Sequence, residues 1–373
     1  MKDLFKTMTS KVSLKQVNNF LLCGILICVV LYFAKKVLIP LTFSVFFAML
    51  FTGMSNKMEK QGVKRIWSTS VSLLILVLVA AGIGLLVYMQ VKKLADEFPA
   101  IEKKSEKFMK QTQEYIAAKL NVPEEKQDEV IDKQVKSASS SVQGVLRGLL
   151  AGAAGILGSS VIVLIFTFLF LLQREKYEAF FIQLCTDTEP DEAKKLIQKI
   201  SKVAQSYLTG RALSILIFTI LFTLGFLIVG LKNAFLLAFI AALLTIVPYV
   251  GSIVGGLFPF AVALVTEDST QVALGALIVV LIIQGIDNYF IEPYVIGGEV
   301  NISGFFTILI LLVGGVLWGV AGMVLFLPML GVAKIIFDEI PALQPYGYLI
   351  GDQQKEKQST RVWNKVKKLF GKK

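Results

Sequence analysis

The sequence predicts an all-α polytopic membrane protein with about eight transmembrane segments and a helical polar insert. Of its 373 residues, 55% are hydrophobic and 17% are charged, whereas an ordinary soluble domain carries about a quarter charged residues. The apolar residues form uncharged runs, such as 71–91 and 149–172, and about 20 such residues cross a hydrocarbon core of about 30 Å. These runs exclude a wholly aqueous or disordered protein.

Basic residues outnumber acidic ones by 38 to 27, which gives a net charge of +11. They cluster beside the hydrophobic runs, as the positive-inside rule expects, so we interpret the excess as topology information and expect no nucleic-acid partner. Histidine is absent and the three cysteines form no framework, so neither a nucleophile pair nor a metal site is indicated. We therefore expect no enzyme activity, no metal and no cofactor.

Residues 1–91 are predicted to contain the first three transmembrane segments. Runs 20–33 and 37–54 are separated by two lysines, where we expect the chain to turn back at the outer face. Basic residues precede the first run and the run at 71–91, which places both of these positions in the cytoplasm. The N-terminus is therefore predicted to be cytoplasmic.

A polar insert at residues 92–146 follows the third segment. We place it outside the cytoplasm, because long loops are translocated largely regardless of charge. Apolar residues recur in it at three- and four-residue spacing, which predicts an amphipathic helix packed on itself or on the membrane domain. Residues 147–173 then form the fourth segment, and residues 174–206 form a cytoplasmic amphipathic stretch.

The C-terminal core, residues 207–338, contains two apolar segments that are too long for simple spans. Residues 234–265 and 302–333 are uncharged, and proline or glycine interrupts both. Each is either a tilted, broken helix or a hairpin of two shorter helices, and both structures remain open. Paired interrupted segments on either side of a normal span indicate a transport site near the membrane midplane.

Residues 339–373 form a basic tail, which we place in the cytoplasm. Its end sets Val362, Trp363 and Leu369 opposite several lysines. This pattern is typical of a helix that lies on an anionic membrane surface, so we expect anionic lipids as partners.

Few charged residues lie within the predicted spans, and these together with two polar neighbours are the candidate transport residues. Gln284, Asp287, Asn288 and Glu292 share one face of an ideal α-helix, and Arg211 lies at the cytoplasmic start of the run at 213–229. A charge at the centre of a span costs roughly 2.5–3.5 kcal/mol, so a retained carboxylate usually faces a polar cavity. We favour the interpretation that this polar face lines a transport pathway. The alternative is that these side chains reach water at the end of the helix or pair with Arg211.

Proline and glycine mark candidate substrate-lining breaks. Pro248 and Gly251 would leave backbone carbonyls unpaired at membrane depth, and Tyr249 would add a hydroxyl there. A plain kink without a ligand role is the open alternative for these residues, and close packing for the glycines. The other candidates of this class are Pro293, Gly314 and Gly315.

Three motifs together carry a resemblance to a known family. They are Val-Pro-Tyr-Val-Gly at 247–251, Glu-Pro-Tyr-Val-Ile-Gly at 292–297 and Gly-Gly-Val-Leu-Trp-Gly at 314–319. Their succession resembles the autoinducer-2 exporter (AI-2E) family of PerM-like permeases, although Ser252 and Gly304 stand where that family often has proline. The resemblance implies a bacterial inner-membrane protein that assembles as a homo-oligomer, with a pentamer expected.

Transport is the predicted function. The resemblance implies that some members export autoinducer-2 and others exchange sodium for protons, so we favour a secondary exporter of a small polar molecule such as autoinducer-2. Asp287 and Glu292 would be its proton- or cation-responsive groups. A monovalent cation (Na⁺/Li⁺)/proton antiporter and a non-transporting membrane scaffold are the alternatives. No Gly-x-x-x-x-Gly-Lys-Ser/Thr motif is present, so coupling to ATP within this chain is not expected.

Overall fold

The computed structural model describes residues 14–89, 92, 160–184, 189–248, 250–267, 269–296 and 301–352, and every regular element in them is helical. The helices are α1 (Leu14–Phe33), α2 (Lys35–Lys60), α3 (Arg65–Met89), α4 (Ser160–Leu172), α5 (Arg174–Leu184), α6 (Pro190–Val229), α7 (Ala234–Leu244), α8 (Val250–Thr266), α9 (Thr270–Ile286), α10 (Gly304–Trp318), α11 (Val320–Glu339) and α12 (Gln344–Ile350). Five candidate membrane spans meet the length and hydropathy expected: α2, α3, α6, α11 and α9 extended to Ile291. The all-α polytopic membrane fold is confirmed, whereas the insert beyond residue 92 and the tail beyond residue 352 lie outside the described residues.

The first two apolar runs form one bent helix. Ala34 alone separates α1 from α2, with φ −85° and ψ 5°. Its amide donates to the Val30 carbonyl, and its own carbonyl accepts from the Leu38 amide. Two antiparallel helices need a connection of about two to five residues, so the turn that we expected at Lys35 and Lys36 is not what the structure shows.

Helices α2, α3 and α4 pack through small hydroxyl side chains. The Ser55 and Ser72 hydroxyls lie 3.1 Å apart between α2 and α3, and the Ser44 hydroxyl donates to the Val163 carbonyl of α4 at 3.0 Å. Small polar residues let membrane helices approach closely and supply hydrogen bonds where water is absent.

Ion pairs gather at one end of the bundle, which we call the basic end. They are Glu59–Arg174 at 2.5 Å, Arg65–Glu175 at 3.1 Å, Lys334–Asp338 at 2.5 Å and the Lys199–Glu339 pair. They bring together regions that the charge pattern had assigned to one side of the membrane.

Helix α6 connects the two halves of the described fold. Its 40 residues reach about 60 Å, twice the hydrocarbon core, so the amphipathic stretch and the following span are continuous without a boundary near residue 206. Its basic-end half packs against α2 and α11, and its other half packs against α7 and α9. In that second half Phe218, Phe222 and Phe226 are buried in the main apolar core.

The segment at 234–265 is a hairpin. Its arms, α7 with 11 residues and α8 with 17, reach about 17 and 25 Å, so neither crosses a core of about 30 Å. Its base lies opposite the basic end, where the buried Glu267 carboxylate accepts a hydrogen bond from the Lys232 amide at 2.8 Å. From these lengths we expect the hairpin tip to end inside the membrane.

The segment at 302–333 is a second hairpin, which enters from the basic end. Its arms α10 and α11 meet at Gly319, whose φ of 62° favours glycine. The Trp318 indole at this tip donates to the Leu31 carbonyl in the bend between α1 and α2 at 2.9 Å. The two hairpins thus enter the bundle from opposite ends, and α11 of the second is long enough to cross the membrane by itself.

Candidate functional site

A small cleft lies where the tip of the α7–α8 hairpin meets α6 and α9. Its lining consists of Phe218 and Phe222 from α6, Thr245, Ser252, Gly255 and Gly256 from the hairpin, and Ile283, Gln284 and Asp287 from α9 and its C-terminal boundary. The empty space is about 230 Å³ with the open mouth included, and the interior has room for about one water molecule. The cleft is a polar niche in an otherwise apolar part of the bundle.

Asp287 lies where the helix changes its geometry. Helix α9 ends at Ile286 and continues as a π-helix over Asp287–Ile296. A π-helix has a wider turn, so it changes which side chains share a face. Gln284 and Asp287 line the cleft, whereas Asn288 is exposed, so the predicted polar face is divided. The side chains of Glu292 and Pro293 lie outside what the structure describes, and so does Tyr249.

The start of α8 contributes to the electrostatics of the cleft. Ser252 lies in the first turn of α8 and lines the same cleft as Asp287. The N-terminus of a helix carries a partial positive charge and stabilises a nearby carboxylate by roughly 0.3–1 kcal/mol at exposed sites, and more where the site is partly buried. This end of α8 is therefore a favourable place for the charge of Asp287.

Gly251 and Gly255 allow the two arms of the hairpin to meet backbone to backbone. A Cβ atom on Gly251 would lie 1.8 Å from the Leu244 carbonyl oxygen, and one on Gly255 would lie 2.8 Å from that of Ala241. Gly251 therefore acts by close packing, and Pro248 lies in the turn between the two arms. The alternatives left open for this segment are settled in favour of a hairpin.

Gly314 and Gly315 do not interrupt a helix. Both lie within α10, and the break comes at Gly319. A Cβ on Gly322 would lie 2.0 Å from the Gly314 carbonyl oxygen, and one on Gly315 would lie 2.6 Å from the Met323 side chain. Their role here is the close packing of α10 on α11, which is the alternative that the sequence left open.

Arg211 lies on α6, two turns from Phe218 toward the basic end, and is not part of the cleft lining. Its guanidinium interacts with the buried Tyr207 hydroxyl, which donates to the Val324 carbonyl of α11 at 3.4 Å. Arg211 is therefore not among the residues that line the cleft with Gln284 and Asp287.

Sequence reasoning missed Thr245, Ser252 and the phenylalanine wall of the cleft. Ser252 had a signal, because it directly follows the Val-Pro-Tyr-Val-Gly motif at 247–251. Phe218 and Phe222 resemble ordinary core residues, and only the placement of the hairpin identifies them as lining. No group of three or more His, Cys, Asp or Glu side chains that could hold a metal ion is found in the part of the chain that the structure describes.

Comparison with known proteins agrees with this architecture. The family model for AI-2E family transporters matches residues 21–342. The chain belongs to the AI-2E family. It is thus a multi-pass membrane protein from a family of transport proteins, as the sequence motifs predicted.

Three relatives show how far the similarity extends. YueF of Bacillus subtilis (strain 168) is 27% identical over 72% of this chain and 74% of its own length. The AI-2 transport protein TqsA of Escherichia coli (strain K12) is 25% identical over 90% of this chain and 94% of its own length. The permease PerM of the same strain is 24% identical over 84% of this chain and 90% of its own length.

The turn at Pro248 gives a first testable prediction. If the break keeps the hairpin tip open toward the cleft, Pro248→Ala should let α7 extend and reduce transport at least about threefold, while the protein stays folded in the membrane. The measurement is initial uptake into membrane vesicles, normalised to the amount of folded protein. Unchanged transport would reduce Pro248 to a bend without a role in transport.

Proposed function

We propose that this AI-2E family member is a secondary transporter that exports a small polar molecule of the autoinducer-2 type. In this mechanism the tip of the α7–α8 hairpin opens and closes the cleft, and Asp287 responds to protons or cations. The observation that carries the proposal is the carboxylate of Asp287 in a cleft formed by a hairpin tip inside the membrane.

Three further features support transport as the role of this cleft. A retained carboxylate in a span usually faces a polar pathway. Secondary transporters commonly place their sites at discontinuous helices near the midplane. The relative TqsA, which aligns with 90% of this chain, is named an AI-2 transport protein.

Exchange of a monovalent cation for a proton is the second candidate, and the size of the cleft favours it. Room for about one water molecule suits a small ion, whereas an organic molecule requires the hairpin to move away from α9. A scaffold without transport activity has less support, because a hairpin tip inside the membrane would then have no evident use.

Transport into inside-out vesicles distinguishes these candidates. Vesicles that contain the chain would be tested for uptake of autoinducer-2, sodium and lithium, with and without a proton gradient. Uptake of autoinducer-2 that depends on the gradient supports export, and sodium or lithium uptake alone supports the antiporter. Uptake of none of the three would favour the scaffold.

The orientation in the bacterial inner membrane gives a second prediction. We propose that the basic end and the C-terminus face the cytoplasm. After serines replace Cys23, Cys28 and Cys185, a cysteine at the exposed Lys232 should react with an impermeant reagent on intact cells, and one at Gln173 should react only after lysis. Equal labelling on intact cells would contradict this orientation.

The same assay can locate the N-terminus. We predicted a cytoplasmic N-terminus from its basic residues, and that placement required a turn between the first two runs, where the structure has a bend at Ala34 instead. A cysteine at Asn18, near the start of α1, reports the side directly. Homo-oligomer formation, with a pentamer expected, and lipid binding by the tail remain predictions.

A further inference from the structure

A second polar position lies on α6, between the basic end and the cleft. Tyr207, Arg211 and Ser214 follow one another at four- and three-residue spacing, so they share the face that continues to Phe218 and Phe222. Ser214 is one helical turn, about 6 Å, from the cleft wall at Phe218. Tyr207 and Ser214 are 2% and 0% exposed, so this face is buried within the bundle.

Two buried polar atoms on this face lack a hydrogen-bond partner among the described residues: the Arg211 Nε and the Ser214 Oγ. This is unusual for a hydroxyl on this helix. The three threonines of α6, Thr209, Thr219 and Thr223, each donate to the carbonyl four residues earlier. An unmet polar group in an apolar interior is costly, so its retention points to a partner that arrives from outside.

The chemistry of these groups restricts what that partner can be. A guanidinium has only N–H donors and a permanent positive charge, and a serine hydroxyl can donate beside it. The Tyr207 hydroxyl already donates to the Val324 carbonyl. The face therefore attracts oxygen acceptors, such as hydroxyl, carbonyl or anionic oxygens, and repels cations.

Thr69 and Thr167 also have buried hydroxyls without a partner among the described residues, but they give no comparable site. Both lie outside the cleft lining. Thr69 is one helical turn from Arg65, whose Nε and Nη2 are also unpaired, but the Nη1 of Arg65 forms an ion pair with Glu175 at 3.1 Å at the basic end. In the part of the chain that the structure describes, only the α6 pair combines an unpaired guanidinium nitrogen with an unpaired hydroxyl on a helix face that continues to the cleft.

We propose that Arg211 and Ser214 form a second binding position in the transport pathway, which takes an acceptor oxygen of the substrate before it reaches the cleft at Asp287. This inference rests on the proposed function and narrows its substrate class to molecules rich in oxygen acceptors. A pathway that passes a fixed positive charge in this way is unsuited to sodium or lithium.

The test measures whether a cysteine at position 214 (Ser214→Cys) reacts faster with an anionic or with a cationic thiol reagent. It uses the purified full-length protein with the native cysteines replaced by serine. Two thiosulfonate reagents are compared, one with an anionic sulfonate and one with a cationic ammonium group. The ratio of their rates cancels differences in thiol reactivity. We expect the anionic-to-cationic ratio to be about tenfold higher at Ser214→Cys than at the matched control Thr223→Cys on the same helix.

Two variants link the preference to Arg211. Arg211→Gln should reduce the ratio to that of the control, and Arg211→Lys, which keeps the charge, should preserve it. The proposal would be overturned if the labelling ratio at Ser214→Cys equalled that of the control, or if neither reagent reacted there. This outcome can be measured even if the Arg211 variants do not fold.

Protection identifies the source of the oxygen acceptor. Autoinducer-2 and inorganic phosphate are added in separate experiments. Slower labelling in the presence of autoinducer-2 indicates that the position binds hydroxyl or carbonyl oxygens, and slower labelling in the presence of phosphate indicates that it binds anionic oxygens. Protection by sodium alone would contradict the proposal. Because labelling needs no transport, a positive result stands even if the vesicle assays detect no export.

Discussion

Replacing Asp287 with asparagine is expected to abolish transport driven by a proton gradient, reducing it at least about tenfold. Asparagine keeps the size of the side chain but carries no charge and cannot exchange a proton, so the cleft would lose its responsive group. Removal of the charge also removes its cost in the membrane, so expression should not fall. The measurement is initial uptake into vesicles at several external pH values.

Two neighbouring variants serve as controls for this prediction. Asn288→Ala changes an exposed residue beside Asp287 and should leave uptake within about twofold of wild type. Glu292→Gln should have a smaller effect than Asp287→Asn. Wild-type uptake and pH dependence in Asp287→Asn would exclude Asp287 as the coupling residue.

Gly251→Ala is expected to be the most damaging single methyl addition in the α7–α8 hairpin. The new Cβ would lie 1.8 Å from the Leu244 carbonyl oxygen and 2.7 Å from the Thr245 Cα, and neither backbone atom can move without separating the arms. Overpacking of this kind costs about 1–3 kcal/mol or more. We expect a lower thermal midpoint in detergent and loss of transport.

Gly53→Ala is the matched control, because nothing lies within 4 Å of its Cβ position in α2. It should retain the wild-type midpoint, or increase it slightly, since alanine favours the helix. A Gly251→Ala protein with wild-type stability and uptake would show that the arms of the hairpin are not packed as described.

Much of the fold followed from hydropathy, because a helix that crosses lipid must satisfy its own backbone and leaves a long apolar run as its signature. The interrupted segments were recognised for the same reason, since 32 uncharged residues exceed one crossing. Sequence alone did not decide between a tilted helix and a hairpin. That choice depends on contacts across the turn, such as the approach of Gly251 to Leu244.

Local geometry explains where the sequence prediction failed. The single polar face from Gln284 to Glu292 assumed an ideal α-helix, but the π-helix that begins at Asp287 changes the register and leaves Asn288 exposed. The two lysines after Ala34 resemble a turn between spans, yet a one-residue joint bends the helix without reversing it. Neither effect leaves a periodicity that could be read from one sequence.

The candidate site was predicted in part. Asp287 was identified as a candidate because charge within a span is rare, and Pro248 and Gly251 because they interrupt an apolar run, whereas Gly314 and Gly315 lie within an unbroken helix. The hydroxyls of Thr245 and Ser252 and the rings of Phe218 and Phe222 are common in membrane helices. Their role depends on which helices meet, and that is a property of the packed structure.

Movement of the hairpin tip relative to α9 is the central claim of the proposed mechanism, and a reversible crosslink tests it directly. A Cβ on Gly256 lies 4.0 Å from the Val280 Cβ, within the range of about 3.5–4.5 Å that a disulfide requires. Gly256→Cys combined with Val280→Cys, with the native cysteines removed, would tie the hairpin to α9.

The matched control, Gly225→Cys with Val279→Cys, ties α6 to the neighbouring residue of α9 instead, where the Cβ atoms lie 3.4 Å apart. The measurement is vesicle uptake of whichever substrate the wild type transports, before and after oxidation and again after reduction. We expect oxidation to stop uptake by the variant that ties the hairpin to α9, and reduction to restore it. The control variant should continue to transport throughout. Full uptake by the oxidised hairpin variant would contradict the proposed movement.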